Sequence, residues 1–290
     1  MQLRSHSVLG LILSTGCSLL GKGDDPYDIE LRYVGWTPTA AEEADFDAAA
    51  ARWESVMTEG LPEHQVQITQ AQIDAVPDAE DCEPIDELVD DLVVFVRRKD
   101  ISGAMAAAAV CVIDTNGHQL PSVARMLVGE SILDGSGGEL NRLSTIQHEL
   151  GHALGLTPGA WNIDLDGDGV LDRELLPGHD GTCAAESALT FGGAQATAAY
   201  QALGGTGGVP MEPGAPDFIS VDGSGCVHLS ESVFDDALMS PSADSPTPKL
   251  TSVTLGMLAD MGYPVDLSAA DDYVLPAFRE GEDTGDSGAP

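Results

Sequence analysis

The chain has 290 residues, 43% of them hydrophobic, which is enough for one large domain or two lobes around a real core. Its formal net charge of -36 excludes a nucleic-acid binder, because a phosphate backbone would be repelled. Lysine is nearly absent (Lys22, Lys99 and Lys249), so the acidity is spread along the chain, and solubility in an extracellular or salt-rich setting explains it better than a cationic partner.

Residues 1–17 read as an export signal. Arg4 gives a basic start, the apolar run over 8–13 is too short to span a bilayer, and the small residues Ser14, Thr15 and Gly16 precede Cys17. This arrangement resembles a bacterial lipoprotein cleavage box with Cys17 as the lipidated first residue. Ser14 stands where an apolar residue is usual, so ordinary cleavage nearby is the alternative. The protein is expected outside the cytoplasm, as a lipoprotein of the cell surface or outer envelope or else secreted, touching a membrane only through that lipid. Residues 18–27 form a linker.

A strand is predicted over 28–35 from its alternation, followed by an alanine-rich helix over 42–62 announced by Thr37, Pro38 and Thr39 and stopped by Gly60 and Pro62. Phe46, Ala49, Ala50, Trp53, Val56 and Met57 give that helix an apolar face for core packing. A strand follows within 64–74, with Val66 and Ile68 alternating and Ile73 a further candidate, and then one buried strand over 86–98 with an acidic lead-in. Residues 104–113 and 122–128 supply two more strands, giving a twisted sheet that the helices cover. With Cys17 lipidated or removed, four cysteines remain, an even number in an exported protein. Of three possible pairings, Cys82 with Cys111 and Cys183 with Cys226 is the most local, and it leaves no free thiolate.

The stretch 143–156, LSTIQHELGHALGL, contains H-E-x-x-H as His148, Glu149 and His152. On a helix, residues four apart lie on one face, so two imidazoles can grip one metal ion while Glu149 beside them serves as a general base. Leu143, Ile146, Leu150, Ala153 and Leu154 supply a core face. An accidental H-E-x-x-H in a chain with so few histidines has a probability of about one in a hundred. The bland alternative is an amphipathic helix with two incidental histidines.

Gly155 extends the motif to H-E-x-x-H-x-x-G, which resembles the metzincin metalloproteases. In most of them a third histidine stands three residues after that glycine. Here the position is Pro158, so a third ligand must come from elsewhere. Much later the chain reads HLSESVFDDALMSP over 228–241 and LTSVTLGMLADMGYPVD over 250–266, and this combination is similar to the leishmanolysin family, where a long insertion precedes the third zinc histidine. The resemblance implies His228 as that ligand, Met239 as the residue of a Met-turn beneath the metal, and a closing helix. His179 lies nearer in sequence and is equally able to coordinate, but no such block follows it. The implied fold is α+β, metzincin-like: a twisted mixed sheet with an active-site helix and a lower lobe containing the Met-turn and a C-terminal helix. The expected parts are a catalytic lobe over 28–157, an insertion over 158–227, a C-terminal lobe over 228–268 and a disordered acidic tail over 269–290. In metzincins a sheet edge binds the substrate backbone, and by chain order 123–133 is the candidate for it.

The insertion opens with Asp164, Asp166 and Asp168 at positions 1, 3 and 5 of a D-x-D-x-D-G loop, the Val170 carbonyl at 7 and Asp172 at 9. That spacing wraps hard oxygens around a calcium ion. Position 12 is Leu175, so Glu174 or water would complete the shell; an acidic surface turn is the alternative. The resemblance thus implies a zinc endopeptidase that acts on protein or peptide substrates; the loop spacing adds calcium, and a monomer is expected. Two other classes are a calcium-dependent surface binding or adhesion module without turnover, which an intact Glu149 argues against, and a zinc enzyme that is not a peptidase.

Overall fold

The computed structural model describes residues 25–77, 79–101, 105–115, 117–135, 142–179, 189–213, 225–242, 245 and 247–278. In chain order the elements are β1 (Ile29–Val34), α1 (Ala40–Glu54), β2 (His64–Ile68), α2 (Gln70–Ile73), β3 (Ile85–Val89), β4 (Leu92–Arg98), β5 (Ala106–Ile113), β6 (Pro121–Val128), α3 (Glu130–Leu133), α4 (Arg142–Ala153), α5 (Pro158–Trp161), β7 (Asn162–Ile163), β8 (Arg173–Glu174), β9 (Thr190–Phe191), α6 (Ala194–Ala202), β10 (Val209–Pro210), α7 (Glu231–Phe234) and α8 (Ser252–Met261).

Alternation along β4 divides the core in two. Leu92, Val94 and Val96 face one apolar cluster with α1 and α4, while Val93 and Phe95 face a second with the β2–β3 hairpin. The main sheet has the order β1-β4-β6-β5, with β5 antiparallel to β6 and the other pairs parallel. The fold is therefore α+β with a mixed sheet, as expected. Its helical layer is tied at several points. Thr39 and Glu42 form a reciprocal capping box at the start of α1. The Trp53 indole N–H donates to Gln147 O at 2.8 Å, and the Arg142 guanidinium donates to Asp45 and to Leu133 O, which anchors the start of α4.

Several sequence expectations need correction. The single strand expected over 86–98 is two strands, β3 and β4, that belong to different sheets. Between them the buried Asp91 carboxylate accepts the N–H groups of Asp28 (2.8 Å) and Leu61 (2.6 Å), a contact made where the chain turns. Ile73 lies in α2 and not in a strand, because Thr69 and Gln72 cap a helical turn reciprocally. The α1 helix ends at Glu54, short of Gly60, since Met57 leaves to bridge Val265 and the Thr58 N–H donates to Pro264 O. The segment taken for the sheet edge contains β6, which is interior; the edges are β1 and β5, because the chain doubles back from β5 into β6. Residues 270–278, expected as disordered tail, fold onto the body. Asp271 accepts from the Leu250 N–H and Arg52, the Tyr273 hydroxyl donates to Phe234 O, and Leu275 is buried.

The Cys82–Cys111 disulfide is present as expected. Cys226 is also disulfide-bonded; Cys183, its expected partner, and Cys17 lie outside the described residues. The closing helix expected near 250–266 is α8, buried nearly all round, as its apolar sequence requires. Its Gly256 packs so closely that a Cβ there would lie 2.6 Å from the Ala196 Cα of α6.

The end of α4 is set by Gly155. The Leu156 N–H donates to Gly151 O and the Gly155 N–H to His152 O, each at 3.0 Å, with Gly155 at φ +94°: a Schellman motif. A Cβ at Gly155 would lie 2.7 Å from Met261 Cε and 2.9 Å from Pro121 Cγ. Gly155→Ala is therefore expected to destabilise the fold by about 3 kcal/mol, combining left-handed backbone strain with overpacking. Urea unfolding measures it, and a loss under about 1 kcal/mol would mean that the turn relaxes freely.

Candidate metal centre

His148 and His152 stand one turn apart on α4, and the tertiary fold brings His228 to them from 76 residues beyond His152. The three Nε2 atoms form a triangle with every side 3.1 Å. Hydrogen bonds among themselves do not explain this closeness. The His148 Nδ1–H donates to Leu238 O at 2.6 Å and the His152 Nδ1–H to Leu156 O at 2.9 Å. A carbonyl can only accept, so both rings carry their proton on Nδ1 and turn an Nε2 lone pair inward when neutral. Burial lowers the pKa of His148, and burial with the neighbouring rings lowers that of His152 further, which keeps both neutral near pH 7. Converging lone pairs repel unless a cation lies between them. The group fits a single metal ion.

Local structure explains how each ring is held. The Schellman turn that ends α4 delivers the Leu156 carbonyl to His152. His228 lies at a bend just before the Met211–Leu229 bridge: its carbonyl accepts from the Glu212 N–H at 2.8 Å, and the Leu229 N–H donates to Met239 O at 2.9 Å. Residues Ala237 to Ser240 make a tight turn, closed by the Ser240 N–H on Ala237 O, and this turn presents the Leu238 carbonyl to His148. Met239 is buried against α4. A Cβ on Gly151 would meet its sulfur at 2.5 Å and the Trp53 ring at 3.1 Å, so the residue between the two motif histidines has to be this small.

Glu149 is 7% exposed, and its carboxylate accepts the backbone N–H of Ala108 on β5. Burial pushes its pKa up to about 8 against the lowering effect of that bond. His179 stands outside the histidine triangle, and Pro158 opens α5.

A second group gathers Asp164, Asp166 and Asp172, with one carboxylate oxygen of each within 4.8 Å of the others. The hairpin β7–β8 closes this loop, and its carboxylates already collect backbone N–H groups: Asp164 takes Gly167 and Gly169, and Asp172 takes Leu165. Asp168, expected as a ligand, instead accepts the Val170 N–H at 2.7 Å and lies outside the group. The Val170 side chain is exposed. Next to Asp172, Arg173 donates to Met261 O, Gln119 O and Ala160 O, tying the loop to three separate parts of the body.

Sequence reasoning named the three histidines and Glu149, but missed Gly151, the Leu156 and Leu238 carbonyls and the Ala108 N–H. Only a small residue inside H-E-x-x-H signalled the first; backbone groups leave no trace in side-chain identity. No protein-family model matches the chain, and no curated protein sequence matches it.

Proposed function

We propose that the chain is a zinc endopeptidase resembling the leishmanolysin-like metzincins. The observation that carries this reading is the triangle of Nε2 atoms 3.1 Å apart, with Glu149 one residue from the first ligand. Zinc bound tetrahedrally at 2.0–2.1 Å needs nitrogens about 3.3 Å apart, and three protein ligands leave the fourth position open, as catalytic sites require. The buried Met239 turn behind the histidines further supports the family resemblance.

Zinc held there would supply Lewis acidity, polarising a peptide carbonyl and lowering the pKa of water beside it. Glu149 takes the proton of a water whose oxygen bonds to the carbonyl carbon. It then passes that proton to the leaving nitrogen as the C–N bond breaks. Strand β5, an edge of the sheet next to Glu149, would receive an extended substrate backbone as an added strand. Cleavage of casein or a peptide library is expected to stop with a zinc chelator and return with zinc. Cleavage that persists in metal-free protein, or no cleavage by the zinc-loaded chain, would overturn the reading.

The loop over 164–172 is assigned to calcium on its spacing and on the convergence of Asp164, Asp166 and Asp172. At a hundred times its Kd, calcium would stabilise the fold by about 2.7 kcal/mol, raising Tm by roughly 5–10 °C. Asp166→Ala combined with Asp168→Ala is expected to abolish that shift while sparing Asp164 and Asp172, which close the loop themselves. An unchanged shift would show that calcium acts elsewhere.

A further inference from the structure

The Leu156 carbonyl that holds His152 belongs to a buried turn with no slack. A Cβ on Gly155 would come within 2.7 Å of Met261, 2.9 Å of Pro121 and 3.1 Å of Ala160, so side chains from three separate segments wall that turn. One guanidinium joins the backbones of the same three segments. Arg173 donates from Nη1 to Met261 O at 2.8 Å, and from Nη2 to Ala160 O and to Gln119 O, the latter at 2.9 Å and two residues before Pro121. Met261 ends α8 and Ala160 lies in the single turn of α5, so both carbonyls stand where a helix offers no N–H partner of its own. Gln119 has a left-handed backbone, with φ +59°. In a chain with 48 acidic and 12 basic side chains, a guanidinium aimed at carbonyls has a positional role to fill. Burial lowers its pKa to about 10, which leaves it a cation at neutral pH.

The segment that Arg173 grips also touches the turn from its other end. Tyr263, two residues beyond Met261, donates its hydroxyl to Leu154 O at 2.9 Å. Gly155 therefore sits between two carbonyls, one held by the gripped segment and the other holding the His152 ring.

We infer that Arg173 is a positioning residue for His152: it clamps the three walls of the Gly155 turn and so fixes the Leu156 carbonyl that orients the imidazole. Its effect on zinc rests on the metal reading proposed above; its geometric part does not.

The test is histidine side-chain NMR of the full chain without metal, together with zinc affinity by chelator competition. Arg173→Lys keeps the charge and the aliphatic stem but replaces a planar two-nitrogen fork with one ammonium, which cannot reproduce three bonds to three segments. In this variant the His152 Nδ1–H exchanges with solvent at least about tenfold faster than in wild type, whereas the His148 Nδ1–H, held by Leu238 O, stays within about twofold. The zinc Kd rises by about tenfold or more, as for other groups that orient a metal ligand. Unchanged His152 exchange in a folded Arg173→Lys chain would overturn the inference. So would equal acceleration at His148 and His152, the mark of a general loosening. Should Arg173→Lys fail to fold, Tyr263→Phe decides, because it removes only the hydroxyl on Leu154 O: faster exchange at His152 alone supports the clamp, and no change or an equal change at both rings overturns it. If the wild-type chain binds no zinc, the metal reading fails by itself, and the exchange rates still decide whether Arg173 positions His152.

Discussion

Glu149→Gln is expected to lower kcat by about 10²-fold or more while KM and bound zinc stay near wild type, since a positioned general base contributes 10²–10⁴-fold. The substitution isolates proton transfer. Glutamine has the size of glutamate, so the buried pocket is refilled, and its Oε1 can still accept the Ala108 N–H. Its carboxamide cannot accept a proton from water near neutral pH. Zinc should stay because the three imidazoles, and not Glu149, form the group that could hold a metal ion. Steady-state kinetics with elemental analysis of the same preparation checks both halves. A fall of less than about tenfold would remove Glu149 from the role of base, and zinc loss would make it a ligand.

His228→Ala is expected to weaken zinc binding by more than about 100-fold and to abolish cleavage, because even outer hydrogen-bond partners of metal ligands are worth 10–100-fold. It removes one corner of the triangle and leaves two imidazoles on one helix face. His179→Ala is expected to keep both zinc and activity, since His179 lies outside the group. Measured side by side, the two variants compare the histidine that the fold brings to the triangle with one nearer in sequence. A zinc-loaded, active His228 variant beside a zinc-free His179 variant would reverse the assignment and take with it the role given to Met239.

The site was unevenly legible. His148, Glu149 and His152 sit on one helix, where spacing in sequence is spacing in space. His228 was reached only through resemblance, and the fold places its nitrogen as close to His148 as that of His152. The sheet edge was misread for a related reason: β6 follows β5 in the chain, yet lies inside it, between β4 and β5. In the insertion, the acidic spacing correctly gathered Asp164, Asp166 and Asp172, whereas Asp168 turned to a backbone N–H that spacing could not foresee.

By itself the sequence determined what depends on neighbours along the chain. The apolar face of α1, its Thr39 cap, the ends of β1, the glycine stop at Gly155 and the motif on α4 all follow from local periodicity and backbone freedom. Tertiary structure alone decided the strand order, the break at Asp91, and which carbonyls hold the imidazoles. These rest on backbone groups and on contacts between residues far apart in the chain. Backbone groups are the same in every residue, and the long-range contacts exist only once apolar burial has brought their elements together.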